Sequence, residues 1–160
     1  MKQPSTLFLK GVLVLIGLAV LAFCIFAIPA IANGIGVEFP SIAPLREAIF
    51  VGLCATAVPF FIALYQAFKL LSYIDKSKAF SNLSVKALRN IKYAAIAMSG
   101  LYMLGMPVVV MIAEADDAPG AVLFGLLFAC SPIVIAVFAA VLQKLVQSAI
   151  EIKSENDLTI

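Results

Sequence analysis

The sequence predicts an all-α, polytopic membrane protein with four transmembrane helices and both termini in the cytoplasm. Three observations support this class: an apolar composition, four long stretches without charge, and an unequal distribution of Lys and Arg. Of the 160 residues, 64% are hydrophobic and 12% are charged, with a mean hydropathy of +1.12. In average soluble domains about 45–50% of the residues are hydrophobic and about 25% are charged. So few charges cannot cover a water-soluble fold, and so many apolar residues exclude disorder.

The four uncharged stretches are each long enough to cross a bilayer. They are Gly11–Val37, Ala48–Phe68, Tyr93–Ala113 and Ala118–Gln143. The shortest would form a helix about 31 Å long, and the hydrocarbon core of a bilayer is about 30 Å thick. Helices are expected because lipid cannot satisfy backbone N–H and C=O groups. We predict one domain, 1–160, with spans at about 11–32, 48–71, 92–113 and 120–144, a loop at 72–91 and a tail at 145–160.

The distribution of positive charge predicts the orientation. Ten of the eleven Lys and Arg residues lie before the first span, between the second and third spans, or after the fourth. Only Arg46 lies on the other side, together with five carboxylates in two short loops. Because positively charged flanks stay in the cytoplasm, we expect both termini there and an acidic outer rim. This rim either attracts cations or only sets the orientation.

The first span has an alternative interpretation. Ala30-Ile31-Ala32 resembles the small-residue site at which signal peptidase cuts, and cleavage would leave three spans. However, the uncharged run from Gly11 is longer than a usual signal core of about 7–15 residues. We therefore expect a retained first helix.

The polar segment between the second and third spans has the pattern of a helix start. Ser81 is a residue type that caps helix N-termini, and Phe80 is placed to pack on Val85 as a hydrophobic staple. After the cap, apolar residues recur on one face and the cations lie elsewhere: Leu83, Ala87, Leu88 and Ile91 against Lys86, Arg89 and Lys92. Such a basic amphipathic segment lies on anionic lipid, receives a protein partner, or merely anchors the chain.

The second and fourth spans resemble each other at a shift of 73 residues, which pairs Gly52 with Gly125 and Pro59 with Pro132. This match suggests a duplicated two-helix hairpin with two-plus-two symmetry. Small residues also recur every four positions in both spans: Ala48, Gly52 and Thr56, and Ala121, Gly125 and Ala129. Small residues allow close backbone approach in lipid, so we expect the second and fourth helices to be the inner, mutually contacting pair.

Every span contains a proline, namely Pro29, Pro59, Pro107 and Pro132. Each removes a backbone donor and is expected to bend its helix. Ser131 is placed to donate to the carbonyl that Pro132 leaves free. Broken helices can bind ions in transporters, but no charged residue lies inside any span to mark an ion path. We therefore interpret the prolines as packing kinks.

No residues for catalysis or cofactor binding stand out. The chain has no histidine, and its three cysteines lie in apolar runs where a thiol stays protonated. Zinc-site spacings, a disulfide framework and phosphate-binding glycine motifs are all missing from the sequence. The net charge of +2 offers no case for direct nucleic-acid binding. We expect no enzyme, no metal and no cofactor.

Four short motifs carry a family resemblance: Leu71-Ser72-Tyr73-Ile74-Asp75, Phe80-Ser81, Leu88-Arg89-Asn90-Ile91 and the terminal Glu155-Asn156-Asp157-Leu158-Thr159-Ile160. With these motifs the chain resembles the bacterial four-helix membrane family catalogued as domain of unknown function 2975, over nearly its whole length. The resemblance implies a protein of the bacterial inner membrane, often encoded beside a small helix-turn-helix regulator. It supplies no catalytic residues.

The leading hypothesis is a membrane module that binds or sequesters a cytoplasmic partner such as that regulator. The loop and the tail have opposite charge, which allows the tail to fold back on the loop. The candidate partner-binding residues are Lys76, Lys78, Phe80, Lys86, Arg89, Lys92, Asp157, Leu158 and Ile160. The alternatives are a small transporter, channel or export factor that acts as a homo-oligomer, and a structural or stress-tolerance component.

Overall fold

The protein folds into helices joined by short turns, as its apolar stretches predict. The structure is a computed structural model, and it describes residues 4–158. The elements are α1 (Pro4–Glu38), a 3-10 helix (Pro40–Leu45), α2 (Arg46–Asp75), α3 (Asn82–Leu104), α4 (Met106–Ala115) and α5 (Gly120–Leu158). Four helical segments are long and apolar enough to cross a membrane: Pro4–Glu38, Pro40–Asp75, Asn82–Ala115 and Gly120–Leu158. The all-α class with four membrane-spanning segments is confirmed.

The helices pack side by side in chain order. Among the described residues, α1 packs on α2, α2 on α3, and α3 on α5, while α4 also lies against α5. Within the most apolar window of each span, only 6 to 17% of the residues are buried. The four spans therefore form an open layer with a small core, and most of their apolar side chains are exposed.

The expectation that the second and fourth helices are the inner, mutually contacting pair is wrong. The third span lies between them, because α3 makes extensive contacts with both α2 and α5. The physical reason is that α3 carries small side chains where its neighbours approach, including Ala87, Ala94, Ala95 and Ser99, all buried. Close backbone approach in lipid depends on such residues.

The most extensive seam in the layer joins α3 to α5. On α5, Ala129, Pro132, Ala136 and Ala139 are buried, at intervals of three and four residues. This spacing is that of a coiled-coil seam, here built from small side chains. Ser131 is exposed on the other side of α5 and donates to the carbonyl of Leu127, 2.8 Å away. The carbonyl that Pro132 leaves without its helical donor is that of Phe128, not that of Leu127. The expectation that Ser131 donates to the freed carbonyl is therefore wrong.

The third span is not one helix but two, and they meet at Gly105. The N–H of Gly105 still bonds to the carbonyls of Leu101 and Tyr102, at 3.2 and 3.1 Å, and its own carbonyl accepts from Val108. Pro107 therefore lies in the first turn of α4, where its missing N–H is least costly. Pro29, Pro59 and Pro132, in contrast, lie inside continuous helices.

Two helix ends close with the same backbone geometry. Ser77 follows α2 with a φ of 60°, and Asp117 follows α4 with a φ of 50°. In each case the next N–H reaches back over the turn: Lys78 to the carbonyl of Tyr73 at 2.7 Å, and Ala118 to that of Ala113 at 2.9 Å. This left-handed closure satisfies carbonyls that a helix end would otherwise leave free.

The start of α3 lies at the predicted place but uses other interactions. Ser81 occupies the capping position, yet its hydroxyl donates to the carbonyl of Lys78 at 2.6 Å instead of accepting from the helix. The hydroxyl of Ser84 donates to the same carbonyl, at 3.1 Å. Phe80, expected to pack on Val85, is 64% exposed. The two serine hydroxyls thus bond the chain at Lys78 to the start of α3.

Candidate functional site

One end of the layer gathers most of the cations. It contains the start of α1, the end of α2, the turn at 76–81, the start of α3 and the last turns of α5, and we refer to it as the basic end. An ion pair ties two of these elements together: the Nζ of Lys10 on α1 lies 2.7 Å from the Oδ2 of Asp75 on α2. The two side chains are 17% and 9% exposed. Lys10 also lies over the ring of Phe68, 5.5 Å from its centroid.

Sequence reasoning missed this pair because it treated Lys10 only as a positive anchor. A signal was available, since Asp75 is the single carboxylate between Glu47 and Glu114. It lies seven residues after the uncharged stretch ends at Phe68, near a membrane boundary where a carboxylate gains from a cationic partner. The pair joins the start of α1 to the end of α2, and it removes Lys10 from the cations that could bind a ligand.

The predicted basic loop is present as an exposed turn followed by the first turns of α3. We refer to Lys76–Arg89 as the basic segment. Lys76, Lys78, Lys86 and Arg89 are exposed, and none of them forms an ion pair within residues 4–158. Lys86 and Arg89 are three positions apart on α3, which places them on one face. Lys92 is half-buried, with its Nζ 4.8 Å from the ring centroid of Tyr93.

The inner face of the basic segment is rigidly packed. Ser84, Val85, Ala87 and Leu88 are all buried, and Ser84 has no exposed surface. The cations therefore project from a helix start that the rest of the layer holds in place.

The tail has a different form from the one expected. It continues α5 without a break to Leu158, and every residue from Glu151 to Leu158 is exposed. The fold-back on the loop that the opposite charges allow is therefore not formed by residues 151–158. No Gly or Pro interrupts residues 145–158, and Lys153 and Asp157 are spaced to support a helix. From Lys144 onward the helix adds about 21 Å beyond the uncharged stretch.

The predicted tail residues lie at the far end of this extension. Asp157 is exposed and Leu158 is 84% exposed, while Ile160 lies outside the described residues. Leu145 and Ile152, which were not predicted to bind a partner, are also exposed. The extension thus presents carboxylates and three large apolar side chains, Leu145, Ile152 and Leu158, beyond the uncharged stretch.

The residues predicted for helix packing do not form one site. Pro59 and Pro132 are buried in different helices, and Pro107 is exposed on α4. Gly125 faces α4, while Gly52 has open space around it. Pro29 lines a cavity of about 240 Å³ at the opposite end of the layer, with Ala32, Asn33, Arg46, Glu47 and Phe50. Sequence reasoning did not predict this cavity, because two helix ends form it together.

Comparison with known proteins agrees with the membrane fold. The model of a family described as a protein of unknown function, DUF2975, matches residues 30–160. The chain is 59% identical over 160 residues, and over the full length of both chains, to a Bacillus subtilis protein described as "Uncharacterized membrane protein YoaS". No solved structure matches the chain. With four membrane-spanning segments and a match over most of its length, the chain is a multi-pass membrane protein that belongs to the DUF2975 family.

Proposed function

We propose that this protein is a docking module of the bacterial inner membrane, without enzymatic activity, whose basic end faces the cytoplasm and binds a cytoplasmic protein. The observation that carries this proposal is the exposed extension of α5. A helix that leaves the bilayer by about 21 Å has no role in spanning it. Its apolar residues Ile152 and Leu158 gain no burial from the rest of the chain.

The chemistry of the extension favours a partner with a positively charged surface. Glu151, Glu155 and Asp157 outnumber Lys153 there. A small helix-turn-helix regulator has such a surface, because it must face DNA phosphates. An acidic helix on that surface would compete with DNA, so docking would hold the regulator away from its operator. The basic segment is close enough to the membrane to contact acidic parts of the same partner.

The test is co-purification of the neighbouring regulator with the full-length protein in mild detergent. Removing the chain after Ser154 should abolish the complex, and Glu151→Gln should weaken it. Glu114→Gln removes the same charge at the opposite end of the layer and serves as the matched control. Retention of the regulator by the truncated protein would contradict a role for the tail.

Transport by a homo-oligomer is the second candidate, and the break at Gly105 is the observation that favours it. Interrupted helices inside the bilayer are common at transporter binding sites. Reconstituted protein should then support solute flux in proteoliposomes. A Gly105→Ala variant should reduce that flux without affecting recovery of the regulator. Absence of flux for ions and small solutes would leave docking as the better account.

A further inference from the structure

We propose that a groove on α2 binds an acyl chain of an anionic phospholipid, whose headgroup lies at Lys69. The groove has a volume of about 550 Å³ and is lined by Ala57, Val58, Phe61, Ile62, Tyr65 and Gln66. All six residues lie on α2, so the groove runs along one helix and is open over its length to the surrounding lipid. The site is separate from the tail and the basic segment, and it does not depend on the docking role.

The two ends of the groove differ in polarity as the two ends of a lipid do. Ala57, Val58, Phe61 and Ile62 form its apolar part. Tyr65 and Gln66 end it on the side toward the basic end, and Lys69 follows one turn later. The Nζ of Lys69 lies 5.3 Å from the ring centroid of Tyr65, which holds the ammonium beside the mouth of the groove.

The length of the groove matches one leaflet. Ala57 to Gln66 covers about 13 Å of helix axis, and half of the hydrocarbon thickness is about 15 Å. Lys69 ends the uncharged stretch Ala48–Phe68, so it lies where the headgroups begin. An acyl chain in the groove would therefore run from the bilayer centre to a phosphate near Lys69.

Two polar groups favour an anionic lipid with ester carbonyls. Within residues 4–158, the amide of Gln66 forms no hydrogen bond, although it lies inside an apolar span. A polar group in hydrocarbon gains from any acceptor that reaches it, and lipid ester carbonyls are at this depth. Lys69 forms no ion pair within the same residues, because the nearby Asp75 bonds to Lys10. Its charge is available for a phosphate.

A second copy of the chain fits this face less well than a lipid. Copies in one membrane share their orientation, so a two-fold contact places the same surface of both chains together. That contact would bring Lys69 of one copy against Lys69 of the other and place two like charges at one membrane boundary. A phosphate at the same position is attracted instead.

The test is lipid retention by native mass spectrometry after reconstitution into vesicles of equal parts phosphatidylglycerol and phosphatidylethanolamine. The wild-type protein should retain phosphatidylglycerol in preference to phosphatidylethanolamine. Lys69→Gln should reduce this preference about five-fold, the effect of one cation that directly contacts an anionic headgroup. Ile62→Trp should fill the groove and reduce the retention of both lipids.

Two matched variants control for unspecific effects. Lys76→Gln removes a cation from the exposed turn at the same end, and Val51→Trp adds a ring on an exposed position of α2 outside the groove. Both should retain lipid as the wild type does. An unchanged preference in Lys69→Gln would overturn the proposal, as would disulfide cross-linking between copies that carry Ile62→Cys with Cys24, Cys54 and Cys130 replaced by Ala. Since Lys69→Gln leaves the apolar packing intact, the test holds even if Ile62→Trp fails to fold.

Discussion

The hydroxyl of Ser99 on α3 donates a hydrogen bond to the main-chain carbonyl oxygen of Ala129 on α5, and the two oxygens are 2.7 Å apart. Both residues are buried, with 4% and 1% of their surface exposed. Among the described residues, it is the one side-chain hydrogen bond between α3 and α5. It fixes the antiparallel register of α3 against α5.

Ser99→Ala should therefore weaken the α3–α5 seam specifically. Hydrogen bonds between helices in lipid contribute about 0.6 kcal/mol on average and no more than about 1.7 kcal/mol. We expect a loss of that size in the free energy of unfolding, measured by denaturant titration in mixed micelles. Ser131→Ala is the matched control, since its bond stays within α5, and it should change stability less. Equal effects of the two substitutions would contradict the assigned role of Ser99.

The Lys10–Asp75 pair should couple α1 to α2 energetically. A charge-assisted hydrogen bond contributes about 1.5–3 kcal/mol. We expect Lys10→Gln and Asp75→Asn each to lower the free energy of unfolding by about 2 kcal/mol. The double variant should lose less than the sum, with a coupling energy of about 0.5–3 kcal/mol. Lys78→Gln, in the exposed turn, should change stability by less than about 0.5 kcal/mol. A coupling energy near zero would show that the pair is not energetically significant.

Gly52 and Gly125, paired by the internal match, have different surroundings. A Cβ at Gly125 would lie 3.1 Å from the Cγ1 of Val109 and 3.2 Å from the Sδ of Met106, whereas nothing lies within 4 Å at Gly52. Gly125→Val should overpack the α4–α5 contact and cost about 1–3 kcal/mol. Gly52→Val should be tolerated, within about 0.5 kcal/mol. Thermal melting and gel filtration of both variants would test this, and a clear loss at Gly52 would reveal a contact with a second copy.

The spans could be predicted from the sequence because lipid leaves the backbone few options. Uninterrupted runs such as Ala48–Phe68 must form helices of nearly fixed length. The order in which those helices pack could not be predicted in the same way. Small residues occur in every span, and Gly52 and Gly125 look equivalent until their neighbours are known. The seam between α3 and α5 depends on which of several small-residue stripes meet.

Of the candidate site, the sequence predicted which residues are charged but not how they are arranged. The cations from Lys76 to Arg89 were found from charge alone, and they are exposed as expected. The shape of the tail was not predicted, because opposite charge suggested a fold-back while the helix-forming residues of 145–158 favour a straight extension. The Lys10–Asp75 pair was missed because Lys10 was interpreted only as a positive anchor and its partner lies 65 positions away.

The proposed orientation can be tested by thiol labelling in intact cells. In a chain with Cys24, Cys54 and Cys130 replaced by Ala, single cysteines would be placed at Lys76 and at Asp116, both exposed in turns at opposite ends of the layer. If the basic end faces the cytoplasm, a membrane-impermeant maleimide should label Asp116→Cys directly and Lys76→Cys only after permeabilisation. A second pair, Ser148→Cys and Ser41→Cys, should repeat the pattern, with Ser148→Cys protected. Labelling of Lys76→Cys in intact cells would reverse the orientation, and with it the proposal that the α5 extension meets a cytoplasmic partner.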